Sequence, residues 1–347
     1  MSALIEADLL AGDDVEEGSG ASFGRYLATK IGGALVSLIL VILSGFFLFR
    51  ILPGDPVGEL THGAAVSAAQ KEHLRHQFGL DRPWYGQFWS YLTSVLRGDF
   101  GTSFKYSRPV SHMIEDRLGA TILLVGSATA LAILIGVWLG TRAAWKQGSA
   151  FDKTHTSIAL TLWSVPTFWL GLILLMVFAV GVGPIPGMFP TGGMTSPTAP
   201  PGFFNHIWDV FHHLVLPCIT LVAVVYAQNL LVMRSSLLDE MGSDYLTTAR
   251  AKGLRDDAVR RHHAVPNALL PTVTLIFLQL GFVVSGAVTV EVVFSWPGLG
   301  SLLYDGINVP DQPLLQGTFI VFAAAVIVMN VLADIVYRFI DPRVRAV

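Results

Sequence analysis

Six stretches of this chain contain no Asp, Glu, Lys or Arg, and each is long enough to cross a bilayer as a helix. They run from Ile31 to Phe49, Leu118 to Thr141, Ser157 to Val182, Val210 to Met233, Leu269 to Val290 and Gln312 to Ala333. A helix rising 1.5 Å per residue needs about 20 apolar residues to span ~30 Å of hydrocarbon. None of the runs alternates in the period-two manner of a barrel strand. Gly and Pro inside them, such as Pro166 and Gly171, are compatible with helices whose neighbours satisfy the freed backbone groups. The reading is an all-α membrane protein with six transmembrane helices.

Composition supports this and excludes other classes. Only 14% of residues are charged and 52% are hydrophobic, against roughly 25% charged in a soluble domain. A net charge of -3 gives no electrostatic basis for nucleic-acid binding. One cysteine, Cys218, excludes a disulfide scaffold and a thiolate zinc site; inside helix 4 it reads as a small packing residue. Residues 1–24 hold six acids and no Lys or Arg, the wrong flank for a secretion signal, and read as a disordered acidic tail.

Basic residues set the orientation. They cluster before helix 1 (Arg25, Lys30), between helices 2 and 3 (Arg142, Lys146, Lys153), between helices 4 and 5 (Arg234 to Arg261) and after helix 6. The connections from Gly183 to Asp209 and from Glu291 to Asp311 have none. The positive-inside rule places both termini and the 2–3 and 4–5 loops in the cytoplasm. The 1–2 loop, 53–117, holds seven basic residues but is long enough to translocate regardless of charge.

That external loop is helical. Ser67 caps a helix running to about Gln77, which Gly79 ends. Pro83 starts another, with Trp84, Phe88, Tyr91, Leu92 and Val95 at helical spacing, and Gly98 stops it. Such an amphipathic helix packs on its own scaffold, lies in the membrane interface or docks an external partner.

The 4–5 loop, 236–267, is charged and helix-forming. Tyr245 to Lys252 reads as one short helix ended by Gly253, and DAVRRHHAV, from Asp256 or Asp257, as a second before Pro266. Two short helices meeting at a glycine make an L-shaped knob. It is either a solvated loop with ordinary charge pairs or a docking surface, on which Tyr245 and Leu254 would seek burial.

Several chemistries are missing from the sequence. No apolar run has a charge near its centre, where ion-coupled carriers bind the coupling ion. Asp334, toward the inner end of helix 6, can pair with Arg338 at i,i+4. The pairs His212-His213 and His262-His263 point to different helix faces, which disfavours a shared metal site. No lysine directly follows a glycine, so the phosphate loop GxxxxGK[ST] cannot be present and the chain cannot hydrolyse ATP by that device. Polar residues within the runs, Gln228, Asn229, Gln279 and Ser285, are either interhelical hydrogen-bond groups or lining of a path.

The 4–5 loop resembles the EAA loop of ABC importer permeases, E-A-A-x3-G-x9-I-x-L-P. Here Thr247-Thr248-Ala249, Gly253 and His263-Ala264-Val265-Pro266 stand in register. Thr247 and Thr248 replace Glu and Ala, and His263 and Val265 replace Ile and Leu. TARAKG at Thr248 to Gly253 and NALLP at Asn267 to Pro271 are similar to the dipeptide/oligopeptide branch. Leu52 to Pro56, Gly79 to Pro83, Arg97 to Gly101, Glu291 with Phe294 to Gly300, and Asp341 to Arg343 resemble further motifs of that branch. The resemblance covers about residues 25 to 345.

It implies the type I permease fold over 25–347 and a B-type subunit of a peptide importer in a bacterial cytoplasmic (inner) membrane. It implies, as partners, a homologous second permease in a heterodimer, two cytoplasmic ATPases that bind ATP and Mg, an external binding protein and a peptide substrate. No catalytic residue and no cofactor are implied in this chain. Tyr245, Thr248, Ala249, Arg250, Lys252, Gly253, Arg255, His263 and Pro266 would then form the ATPase-coupling surface. Gln228, Asn229, Gln279 and Ser285 would line the translocation path. Nickel, glutathione or sugar transport by the same machinery stays open, with an ion-coupled carrier or an intramembrane enzyme as the competing class.

Overall fold

A computed structural model describes the backbone outside residues 1, 52–56, 59–60, 62–66, 78–80, 82, 284–286, 310 and 341–347, with side chains from residue 23 onward except also at 50–51, 74, 77, 185, 282 and 337–340. The motifs at Leu52 to Pro56 and Asp341 to Arg343, most of Gly79 to Pro83, and Ser285 therefore lie outside the described residues. Among the described residues five helices are long and apolar enough to span a membrane, and a bent pair brings the number to six when its two helices count as one span.

The spans are α1 (Ser2–Ile51), α4 (Val110–Trp145), the bent pair α5 (Ala150–Ser164) and α6 (Thr167–Val180), α7 (Phe203–Met241), α9 (256–283) and α12 (Gln312–Ile340). Between α1 and α4 stand α2 (Ala68–Gln77) and α3 (Trp84–Leu96). After α7 comes α8 (Asp244–Ala251), and after α9 come α10 (Val288–Val293) and α11 (Leu299–Asn308). A two-residue hairpin, Gly181–Val182 with Ile185–Pro186, follows α6.

The bundle is built around α7, which packs along α4 and is flanked by α5 and α9. Close approach of α4 depends on two glycines one turn apart. A Cβ on Gly136 would sit 2.6 Å from the Tyr226 carbonyl oxygen, and one on Gly140 2.6 Å from that of Leu230. Glycines at i and i+4 let two backbones touch where no hydrophobic force holds helices together in lipid. Ala132, Ala159, Tyr226, Ala227 and Leu230 fill the middle of this contact. On the periphery α1 pairs with α12, and Leu35, Val36, Ile39 and Leu40 of α1 face outward into the surroundings. We call the end carrying α8 and the α4–α5 turn the basic end, and the opposite one the far end.

Three expectations need correction. The third run is not one straight helix: it bends by 100° between Ser164 and Thr167. Pro166 disfavours helical backbone at the residue before it, and Val165 is extended at ψ 129°. The fifth helix stops at Val283 rather than at Val290, and Val288 to Val293 form a separate short helix. Asp334 has partners on α1, with Lys30 at 2.6 Å and Tyr26 donating to its carbonyl at 3.2 Å; its expected pairing with Arg338 lies outside the described residues. The acidic segment expected as a disordered tail continues the helical backbone of α1 from Ser2, helped by Ala, Leu and Glu between residues 3 and 10.

The external-loop helices form as read. Ser67 Oγ accepts from the Gln70 N–H at 3.2 Å, while Gln70 Oε1 accepts from the Ser67 N–H at 2.9 Å, a capping box. Pro83 precedes α3, and Gly98 leaves it at φ +75°.

Candidate functional site

The knob at the basic end begins where α7 stops. Ser243 precedes α8, and the segment Asp244 to Ala251 is a two-turn helix with Leu246 and Ala249 on one face. Both are buried in a cluster with Ala144, Met233, Leu237, Val259, Ala264 and Ala268. Gly253 then turns the chain at φ +83°. Its N–H reaches the Arg250 carbonyl at 2.9 Å, and the Leu254 N–H reaches that of Ala249 at 3.4 Å. This pair of bonds is a Schellman ending, which needs a left-handed residue that only glycine adopts freely.

After extended Arg255, the chain re-enters a helix at Asp256. Asp256 and Asp257 occupy its first turn, where carboxylates meet the positive end of the helix. Contrary to expectation, this second arm is not a separate helix ending before Pro266. It passes through a π turn, Arg260–Ala264, directly into the span 265–283. The wider turn lies just ahead of Pro266, whose missing N–H would break an ordinary α-helical ladder. The knob is thus the cytoplasm-facing or exterior-facing root of a transmembrane helix, and any push on it acts on that helix.

Side chains brace the two arms. Arg250 Nε lies 3.4 Å from Asp256 Oδ1, and Trp145 Nε1 donates to Asp256 Oδ2 at 3.1 Å from the end of α4. Tyr245 donates its hydroxyl to Glu240 and accepts from Asn267 Nδ2 at 2.9 Å. Burial, reinforced by the hydrogen bond to Glu240, raises the Tyr245 hydroxyl above the usual tyrosine value. Arg260 and Arg261 both pair with Asp257.

Of the nine residues expected on the surface of this knob, Tyr245, Thr248, Arg250, Lys252, Gly253, Arg255 and Pro266 are exposed. Ala249 is not: it is 7% exposed and faces the chain's own core, so its small size serves the approach of α8 to the bundle. Tyr245 acts as a strut to Glu240 and Asn267, and His263 is half-buried in the π turn. Trp145, Glu240 and Asn267 were missed, because no local pattern joins residues so far apart in sequence.

Three of the four polar residues within the runs come together. Asn229 Nδ2 donates to Gln279 Oε1 at 3.2 Å, and Gln279 Nε2 lies 3.5 Å from Gln228 Oε1. This links α7 to α9. Asn229 is fully buried against Gly136, so it faces protein and not an open path. His212 and His213 turn to different acceptors, the carbonyls of Met188 and Asp209.

A buried carboxylate organises the far end. Glu291 is 0% exposed. Thr121 donates to Glu291 Oε1 at 2.9 Å and the Ser301 N–H to Oε2 at 2.9 Å. Thr121 Oγ1 in turn accepts from the Leu299 N–H at 2.7 Å, and Trp296 Nε1 donates to the Ala120 carbonyl at 2.8 Å. Glu291 thereby caps α11 and clamps it to α4. A Cβ on Gly298 would sit 2.4 Å from the carboxylate, which explains a glycine there. Burial pushes the Glu291 carboxyl above the usual carboxylate range, against the opposing pull of these donors.

The chain matches two family profiles. Residues 132–346 match the binding-protein-dependent transport system inner membrane component, and residues 23–125 match the N-terminal region of the same kind of membrane component. It is 36% identical over 321 residues to the glutathione transport system permease protein GsiC of Salmonella typhi, covering 92% of this chain and 99% of that protein. It is 36% identical over 334 residues to the dipeptide transport system permease protein DppB of Escherichia coli (strain K12), covering 92% and 98%.

Proposed function

The chain belongs to the family of binding-protein-dependent transport system inner membrane components, and from that membership we propose that it is one of two permease subunits of an ATP-driven importer of short peptides. As a multi-pass membrane permease it provides the route, while partner ATPases that bind ATP and Mg supply the energy. The relatives' names give dipeptides and glutathione, and glutathione is itself a tripeptide, so short peptides are the substrate class they share.

The observation that carries this reading is the construction of the knob. A surface of Thr248, Arg250, Lys252, Leu254 and Arg255 stands exposed on a frame that is fully packed beneath, with Leu246, Val259 and Ala264 at 0% exposure. Leu254 remains 42% exposed. An ordered, cationic projection with an apolar tip suits an acidic-rimmed groove on a partner. Because its second arm continues into α9, closure of an ATPase pair would tilt that helix, and with it the bundle, between two openings.

In this reading the basic end is cytoplasmic, which the placement of Lys and Arg supports. The external binding protein approaches the far end, and the second permease completes the path. Gln228 and Gln279, half-buried between α7 and α9, are the described residues of this chain nearest to a polar lining; Asn229 donates to Gln279, which reaches Gln228.

The test is uptake by the reconstituted complex of both permeases, both ATPases and the binding protein. Dipeptide or glutathione accumulation that requires ATP supports the reading. Accumulation by this chain alone, without ATPases, would overturn it.

A further inference from the structure

Helix α3, WYGQFWSYLTSVL, has three faces and no charge. Phe88 and Tyr91 form the first, against Phe46 of α1 at ring distances of 5.2 and 5.5 Å, with Phe47 also at 6.4 Å from Phe88. Tyr85, Trp89, Leu92 and Leu96 recur at helical spacing on a second face. Tyr85, Trp89 and Leu96 are 63%, 66% and 73% exposed. Gln87, Ser90, Thr93 and Ser94 make the third, polar face.

The position of α3 decides what covers the second face. Among the described residues, its ring contacts with α1 fall on Phe46 and Phe47, so the two helices meet over one turn of α1. The uncharged run of α1 ends at Phe49, before Arg50, about 5 Å further along at 1.5 Å per residue. The helix therefore sits at the edge of the hydrocarbon, a depth that a water-soluble binding protein does not reach. On α1 itself, apolar residues from Leu35 and Val36 to Phe47 and Leu48 are exposed as well. Trp and Tyr bodies with Ser and Thr opposite are the chemistry of the membrane–water boundary.

We propose that α3 lies in the headgroup boundary of the leaflet at the far end, with Tyr85, Trp89, Leu92 and Leu96 in lipid and Ser90 and Ser94 toward water. The helix then anchors the start of the external loop to the membrane and fixes the height of the segment leading into α4. This rests on membership of a membrane family and not on the transported solute, so a failed uptake assay leaves it standing.

The test uses the complete complex in phospholipid nanodiscs, with Cys218→Ala in this chain and a nitroxide attached at Trp89→Cys or at Ser90→Cys. Dissolved oxygen partitions into lipid and a nickel chelate into water. The expected result is that the label at position 89 relaxes severalfold more with oxygen than with nickel, and the label at position 90 the reverse. A label at position 89 that responds mainly to nickel would overturn the proposal. One shielded from both would also overturn it, assigning the face to the second permease. Uptake assays on both labelled complexes check that the chain is folded.

Discussion

Tyr245, the second residue of α8, donates its hydroxyl to Glu240 on the last turn of α7, five residues earlier. The same oxygen accepts from Asn267 at the root of α9, 2.9 Å away. One phenol thus ties together the incoming helix, the knob and the outgoing helix. Tyr245→Phe keeps the ring and removes both bonds. Asn267 is exposed and Glu240 only half-buried, so stability should fall only by about 1 kcal/mol. Coupling should suffer more, seen as a lower ratio of peptide taken up to ATP hydrolysed in the reconstituted complex.

The exposed face of the knob predicts a cross-link. With Cys218→Ala removing the native thiol, Lys252→Cys should join a cysteine in the groove of the partner ATPase under mild oxidation. Ala249→Cys, buried against Leu246 and Val259, should not. Mass spectrometry of the joined peptides reads the result. Equal cross-linking at both positions would mean that the knob opens away from its core.

Asp152 and Arg234 make a two-pronged pair between α5 and α7 at the basic end, at 2.6 and 2.9 Å. The Asp152 side chain is 4% exposed. Arg234→Ala leaves that carboxylate buried without its partner, which costs about 3 kcal/mol or more. The expected outcome is a markedly lower thermal midpoint in detergent, largely restored by the double change Arg234→Ala with Asp152→Asn. No recovery in the double variant would show that Arg234 acts through packing instead.

Glu291 predicts a pH response. Its folded value is raised by burial, so its protonated form is favoured in the folded protein. The stability linked to this group is complete below its unfolded value near 4.5 and is lost as pH rises through the raised folded value. Thermal midpoints of wild type should therefore fall across that window relative to Glu291→Gln, which does not titrate. Parallel pH profiles for the two proteins would contradict this account of the carboxyl.

The spans were legible because each is a count of uncharged residues, and the glycine-stopped α8 because capping and turn chemistry are local. What failed to show in the sequence depends on distant partners. The Lys30 partner of Asp334 lies on another helix, where no helical spacing points to it. Ala249 looked like a contact surface because a two-turn helix has no marked inner face until the bundle beneath it is known. The clamp around Glu291 joins Thr121 across 170 positions, beyond any periodicity. Pro266 read as a stop, whereas a π turn absorbs it and lets the arm run on into α9.

The central claim is that the Gly253 bend transmits ATPase movement to α9. Proline at this position cannot take φ +83° and removes the N–H that reaches Arg250. The decisive measurement is paired uptake and ATP hydrolysis by the reconstituted complex carrying Gly253→Pro, with membrane insertion checked by yield of assembled complex. The account predicts normal insertion, persisting ATP hydrolysis, and uptake reduced about tenfold or more, equivalent to ~1.4 kcal/mol of lost coupling. Uptake and hydrolysis both at wild-type levels would contradict it.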